Sequence, residues 1–259
     1  HIHGGEVTEG AVDEQIRHSI TKMSYLHFCS TELYCKRIIQ MGEDPSRVFN
    51  SGAPGIDNIV NLDLLSKDKL EENLDWKFSS KSALFTYHPV TLGKNDIPRD
   101  LKVILNVLIK TNINVLFTYA NADNGGRFIN QKIEEFCRLD PIKYKVVKSL
   151  GQLKYLSAMK HTDLLIGNTS SGIIEAASFG KPVVNIGDRQ KGRLKGNNVI
   201  DCNLDTLESS INLAISGDFK EISQNTHNIY GVGIASDIIL NELVEQEVFV
   251  TKKFIDSIP

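Results

Sequence analysis

The chain lacks any apolar run near the ~20 residues needed to cross a bilayer, and its first residues lack the charged and apolar regions of a signal peptide. It also lacks an excess of positive charge: 29 Lys plus Arg stand against 32 Asp plus Glu, a formal net charge of -3. With no surplus of cations for phosphate backbones or anionic lipid, nucleic-acid and membrane partners are excluded and a cytoplasmic protein is expected. Cysteine is scarce as well. Cys29, Cys35, Cys137 and Cys202 form no CxxC pair and have no neighbouring Cys or His at zinc spacing, so reduced, buried thiols and no metal site are expected. Internal repeats and low-complexity segments are absent.

What is present is an ordinary globular composition, 41% hydrophobic and 24% charged over 259 residues, enough for one large domain or two moderate ones. His1 opens without Met and runs into Ile-His-Gly-Gly-Glu, which reads as a strand end and a glycine turn in a domain entered midway. A helix is expected over 11–23. Thr31 is the N-cap of a second, running to Met41 and closed by Gly42, with a short strand at 48–50. Residues 67–77 are charged and read as a surface helix or linker.

From Ser82 onward, β-branched runs alternate with amphipathic stretches, the pattern of a parallel sheet covered on both faces. Strands are expected at 83–87, 113–119, 144–148, 163–167, 182–186 and 198–201. Helices are expected at 101–110, 126–137, 151–161 and 171–179, and a last one at 236–250. The fold class is therefore α/β, with a first domain plus linker over 1–77, a second Rossmann-like domain over 78–235, and 236–259 packing back on the first.

Three constellations carry chemistry. The first follows the strand ending at Gly167, where Asn-Thr-Ser-Ser-Gly turns straight into a helix. Thr169, Ser170, Ser171 and Gly172 at a helix N-terminus suit a phosphate, and Glu175 suits ribose hydroxyls. The same residues also suit plain capping with Glu175 as a dipole partner, and both readings stay open. Second, His88 ends the first strand of this sheet and faces the same crevice, either for a phosphate or proton or as a structural histidine. Asn121 lies in turn chemistry after the next strand, and Arg189, Gln190 and Arg193 follow the fifth strand, either closing over an anion or solvated. The third cluster is His3, Glu6 and Asp13 with Arg17 and His18. Its carboxylates suit acid–base work at a sugar ring, although Asp13 and Arg17 also have the spacing of a helix i,i+4 pair.

Together the stretches HIHGGEVTEGAVDEQIRHSITKMSYLHF, RVFNSGAPGIDNI, YHPVT and GNTSSGIIEAASFGKPVVNIGDRQKGR resemble the UDP-N-acetylglucosamine 2-epimerase family, particularly its hydrolysing branch. The resemblance implies two Rossmann-like domains facing across a cleft in the manner of glycosyltransferase-B enzymes, the first N-terminally incomplete here by about a hundred residues, the size of such a segment. It implies elimination of UDP from UDP-N-acetylglucosamine through a 2-acetamidoglucal, then hydration to N-acetylmannosamine, with no redox cofactor. Implied partners are the UDP-sugar substrate and UDP product, in a homo-oligomer, dimer or tetramer. Carried over, Thr169, Ser170, Arg189 and Glu175 fall on UDP-binding positions, His88 beside the diphosphate, and Asp13 on a catalytic carboxylate. His3 departs from the glutamate common in the family, with Glu6 three residues on. A related substrate, UDP-2,4-diacetamido-2,4,6-trideoxyglucose, fits the same motifs. So do the non-hydrolysing reaction and, from other classes, a glycosyltransferase or a UDP-sugar-binding module.

Overall fold

A computed structural model of the chain describes residues 1–9, 12–90, 96–249 and 251–256. Two parallel sheets organise it. The smaller contains β1 (Ile2–Gly4), β2 (His27–Cys29) and β3 (Val48–Asn50), in the order β1-β2-β3. Its helices are α1 (Asp13–Met23), α2 (Glu32–Gln40) and α3 (Pro54–Asn61). Thr31 caps α2 as expected, its hydroxyl accepting from the Tyr34 N–H. The expected start of α1 at Ala11 lies outside the described residues.

After α4 (Lys67–Leu74), the larger sheet is built from β4 (Ser82–Thr86), β5 (Asn114–Thr118), β6 (Tyr144–Val147), β7 (Leu164–Gly167), β8 (Val183–Ile186) and β9 (Val199–Cys202). All six expected strands are there, within two residues at either end. The spatial order is β6-β5-β4-β7-β8-β9, all parallel, so the direction of winding reverses between β4 and β7. That reversal opens a crevice at the carboxyl ends of those two strands, the ligand position of open α/β sheets. Between strands run α5 (Ile97–Thr111), α6 (Gly126–Cys137), α7 (Gly151–His161) and α8 (Ser170–Ile174). After β9 come α9 (Leu207–Ala214), α10 (Gly217–Gln224) and α11 (Ala235–Glu245).

Strand residues alternate between two buried layers, because successive side chains leave opposite faces. Phe85, Phe117, Leu164, Ile166 and Val184 enter one layer with Ile104 and Ile133. Leu84, Leu116, Leu165 and Val183 enter the other with Met159. Burial on both faces explains the β-branched runs with no polar alternation.

Two expectations need correction. Of the two readings of 67–77 the helix holds, over Lys67–Leu74, but it is not merely on the surface: Leu70 and Leu74, one helical turn apart, are buried with Trp76 and Phe78 in the second layer. The last helix stops at Glu245, and of the tail beyond it Lys252 donates to the buried Glu43 carboxylate, 2.7 Å away. The end expected at Val250 lies outside the described residues. At its start, α11 is capped from the smaller unit, since the Asp57 carboxylate accepts from the Ala235 and Ser236 N–H groups at 3.0 and 2.6 Å.

The joint between the two units is aromatic. Tyr34 of α2 and Tyr230 bring their hydroxyls to 3.0 Å, both fully buried. The Leu194 N–H donates to the Tyr34 oxygen, and the Tyr230 hydroxyl donates to the Leu194 carbonyl. All four cysteines are free and buried.

Candidate functional site

At the reversal point, β7 ends on Gly167 with φ 139°, where a Cβ would collide with the Thr86 carbonyl of β4. This close approach lets the next residue, Asn168, tie the two strand ends together. Its Oδ1 accepts from the His88 N–H at 2.7 Å and its Nδ2 donates to the His88 carbonyl at 2.8 Å. Its own carbonyl accepts from Arg189 Nη1 and Gln190 Nε2, at 3.1 and 2.8 Å. Asn168 is thus the hub of this half of the site, and sequence reasoning gave it no role.

His88 is held as a neutral donor. Its Nδ1 accepts the Asn121 N–H at 3.0 Å, which leaves the ring proton on Nε2. Burial, with Arg189 adding to it, lowers its pKa to about 4 from 6.5. A depressed histidine binds fewer protons folded than unfolded, so its stabilising contribution is complete above about pH 6.5 and is lost as pH falls toward 4. Melting His88→Gln between pH 4 and 7 should therefore give a flatter acid slope than the wild type. The buried His27, also lowered to about 4, supplies slope that remains. An unchanged slope in the variant would show that His88 is not neutral when folded.

The α8 segment differs from expectation. The helix covers Ser170–Ile174 only and continues as a 3-10 turn over Ala176–Phe179. Thr169 is its N-cap, accepting from the Ser171 N–H. The Ser171 hydroxyl is spent on Tyr155, 2.6 Å away, and Gly172 is buried with its Cα side facing Val183. Of these four, Ser170 faces open space. Glu175 follows the helix instead of lying in its first turn, so the dipole-partner reading fails, because a carboxylate there meets the negative end. Its carboxylate reaches the start of α3, beside Gly55. Burial raises its pKa to about 7, with His3 opposing.

The smaller unit supplies the facing half. Gly5 takes φ 77° hard against the Tyr34 carbonyl, which turns the chain so that Glu6 points inward. Glu6 is 2% exposed and meets Arg193 Nη2 at 2.9 Å, His3 Nδ1 at 3.5 Å and Arg17 Nη2 at 3.9 Å. Burial pushes its pKa up, but the His3 contact and the charges of Arg193, His3 and Arg17 outweigh that and leave it below the ordinary value. A carboxylate so held is a poor base, spent on ion pairs with both units. Asp13 opens α1 and is exposed. The helix-pair reading of Asp13 does not hold either, since Arg17 pairs with Glu14 at 3.3 Å.

The halves meet at a cavity of about 160 Å³ lined by Thr8, Asp13 and Arg17 from the smaller unit and Ser170, Arg189, Gln190 and Arg193 from the larger. Arg193, for which closing over an anion and solvation were both open, is nearly buried, and its Nε and Nη1 lack any acceptor among the described residues. Three guanidiniums and a free hydroxyl suit a multiply charged oxyanion such as a diphosphate, with one carboxylate beside it. His88, Asn121, Thr169 and Glu175 lie outside this lining; His88 is joined to it through Asn168. Asn121 acts through its backbone, its Nδ2 being turned to Asp123.

The sequence profile of the UDP-N-acetylglucosamine 2-epimerase family matches residues 1–244. The chain belongs to this family. Among 2-epimerase relatives it is 44% identical, over 85% of its length and 58% of theirs, to a Campylobacter jejuni protein described as a hydrolysing GDP/UDP-N,N'-diacetylbacillosamine 2-epimerase. It is 34% identical, over 92% of its length and 62% of theirs, to a Legionella pneumophila hydrolysing UDP-N,N'-diacetylbacillosamine 2-epimerase. The chain therefore spans about three-fifths of the length of these relatives, and within the family it resembles the hydrolysing branch. A solved UDP-GlcNAc 2-epimerase from Neisseria meningitidis, bound to UDP-GlcNAc, shares the fold at 18% identity, with a TM-score of 0.79 over 95% of this chain and 69% of that one. Two Rossmann-like units across a cleft is thus the 2-epimerase architecture.

Proposed function

We propose that the protein is a hydrolysing 2-epimerase, converting a UDP-activated 2-acetamido sugar and water into the free 2-epimer and UDP. The observation that carries this reading is the cavity in which Asp13 stands among Arg17, Arg189 and Arg193. Elimination needs a departing diphosphate stabilised and protons moved on both faces of C2 of the sugar. In this reading the arginines and Ser170 hold the diphosphate, the His88 Nε2–H donates to its oxygens, and Glu175 accepts from the ribose hydroxyls. Asp13 supplies the acid–base carboxylate for hydration of the glucal. The domains divide at about residue 77, with 236–259 returning to the first, and the enzyme works in the cytoplasm as a homo-oligomer.

Two sugars fit. UDP-N-acetylglucosamine has the simplest 2-acetamido group. The diacetylbacillosamine nucleotide, a 2,4-diacetamido trideoxy sugar, is favoured by the relatives at 44% and 34% identity that are named for it. Incubating the full-length protein with each UDP-sugar should release a free mannosamine-type sugar with UDP. A nucleotide-linked epimer as product would instead assign the non-hydrolysing reaction, and transfer to an added acceptor would assign a glycosyltransferase.

A further inference from the structure

Glu6 poses a geometric question of its own. Its Oε2 is held by Arg193, which comes from the loop after β8 in the larger unit. Its Oε1 is buried without a hydrogen-bond donor among the described residues, and His3 Nδ1 stands 3.5 Å from it. A buried carboxylate oxygen left unmatched is costly, so a small rotation of the His3 ring that closes the gap is favoured. The backbone at His3 is fixed in an uncommon way, with φ 68°, a conformation that a non-glycine residue holds only where its surroundings enforce it. Glu6 is thus spent on orientation.

We propose that Glu6 is a positioning residue: its Oε1 accepts the Nδ1 proton of His3 and leaves Nε2 of that ring as a free base, while Arg193 of the facing unit holds Oε2. The inference rests on the epimerase reading and deepens it. In the step it serves, His3 Nε2 takes the proton from C2, the C–H pair forms the C1–C2 double bond, and the C1–O bond breaks with its electrons leaving on UDP. Asp13 then returns a proton to C2 from the opposite face as water adds at C1, which inverts C2. The charged groups around the ring are Glu6 beside it, Arg17 and Arg193 behind Glu6, and Glu175 reaching across from the larger unit. In the bound state the ribose hydroxyls occupy Glu175, which leaves Glu6 to choose the tautomer. Because Arg193 belongs to the larger unit, the base is correctly set only while the cleft is closed.

Nitrogen-15 shifts of the histidine rings in the full-length protein at neutral pH test this directly, with the His3 signals assigned by their loss in His3→Gln. The expected wild-type pattern is a protonated Nδ1 and a bare Nε2. Glu6→Gln should invert it: Arg193 requires the amide oxygen at the Oε2 position, which turns the NH₂ toward Nδ1 and drives the ring proton to Nε2. In turnover of a UDP-sugar, the same variant should lose ~100-fold or more in kcat with KM nearly unchanged, the signature of a lost proton transfer. If Glu6→Gln fails to fold, Arg193→Met frees the carboxylate and should replace the single His3 tautomer by a mixture. A wild-type His3 protonated on Nε2, or a Glu6→Gln protein with an unchanged ring pattern and kcat, overturns the proposal. Inactivity of the wild type on every UDP-sugar would sink the epimerase reading, while the ring pattern would still decide the role of Glu6.

Discussion

Asp13→Asn is expected to lower kcat by at least ~100-fold, the usual size of a lost general acid–base contribution, with UDP affinity nearly unchanged. The residue opens α1, lies exposed at the cavity mouth and has its helix neighbour Arg17 turned away to Glu14 and Glu6. Its carboxylate is therefore free to act, and its amide replacement leaves every neighbouring ion pair in place. UDP affinity is retained because the groups that hold the nucleotide in this reading lie chiefly on the larger unit. With the elimination step intact, the variant should accumulate the glucal, visible by mass or proton spectra. Full activity in Asp13→Asn would remove the acid–base role.

Glu175→Gln is expected to stabilise the ligand-free protein at pH 8 while weakening its grip on UDP. The wild-type carboxyl is raised by burial to about 7 from 4.5, so the folded state holds its proton more tightly than the unfolded chain. Stability consequently falls as pH rises from about 4.5 to 7 and stays reduced above that. Glutamine avoids the cost, a gain of about 1–3 kcal/mol after allowing for partial exposure and a rise of several degrees in Tm. Below pH 4.5 the two proteins should converge. Binding should move the other way, by about 1–3 kcal/mol, because the charge-assisted bond to ribose hydroxyls is gone. Thermal melts at pH 4 and 8 with calorimetry of UDP check both arms. An unchanged Tm at pH 8 together with unchanged affinity would show that Glu175 is neither strained nor at the ribose.

What could be read from the sequence follows from what each feature depends on. The strands of the larger sheet were legible because both faces are buried, and α6 and α7 matched their expected ends because glycines and polar residues bound them. Helix α4 was undervalued since Leu70 and Leu74 are its main apolar residues, and their i,i+4 spacing was the signal available. Helix α9 carried a similar signal in Leu207, Ile211 and Ala214. In the site, Ser170, Arg189 and Asp13 were legible from motif and strand-end position. Asn168 was not, because its value lies in bonds to a strand remote in the chain, and a polar residue after a strand looks like any turn. The fate of Glu6 depends on Arg193 closing over it from the facing unit, which no local pattern contains. The length of α8 was misjudged because the alanine- and serine-rich run 176–179 continues as a tighter turn.

The pair of phenols at the joint has a consequence for exchange with solvent. The Leu194 amide hydrogen ends on Tyr34, and the Leu194 carbonyl is taken by Tyr230, so both backbone polar groups of this one residue, in an otherwise loop-like stretch, are held by the phenols. Amides in such loops ordinarily trade with deuterium quickly, through local fluctuations. This amide can do so only when the phenols separate, which makes its exchange rate a clock for opening of the two units. Nucleotide that holds the cleft shut should slow that clock, and Tyr230→Phe should speed it without altering the amides of the central strands.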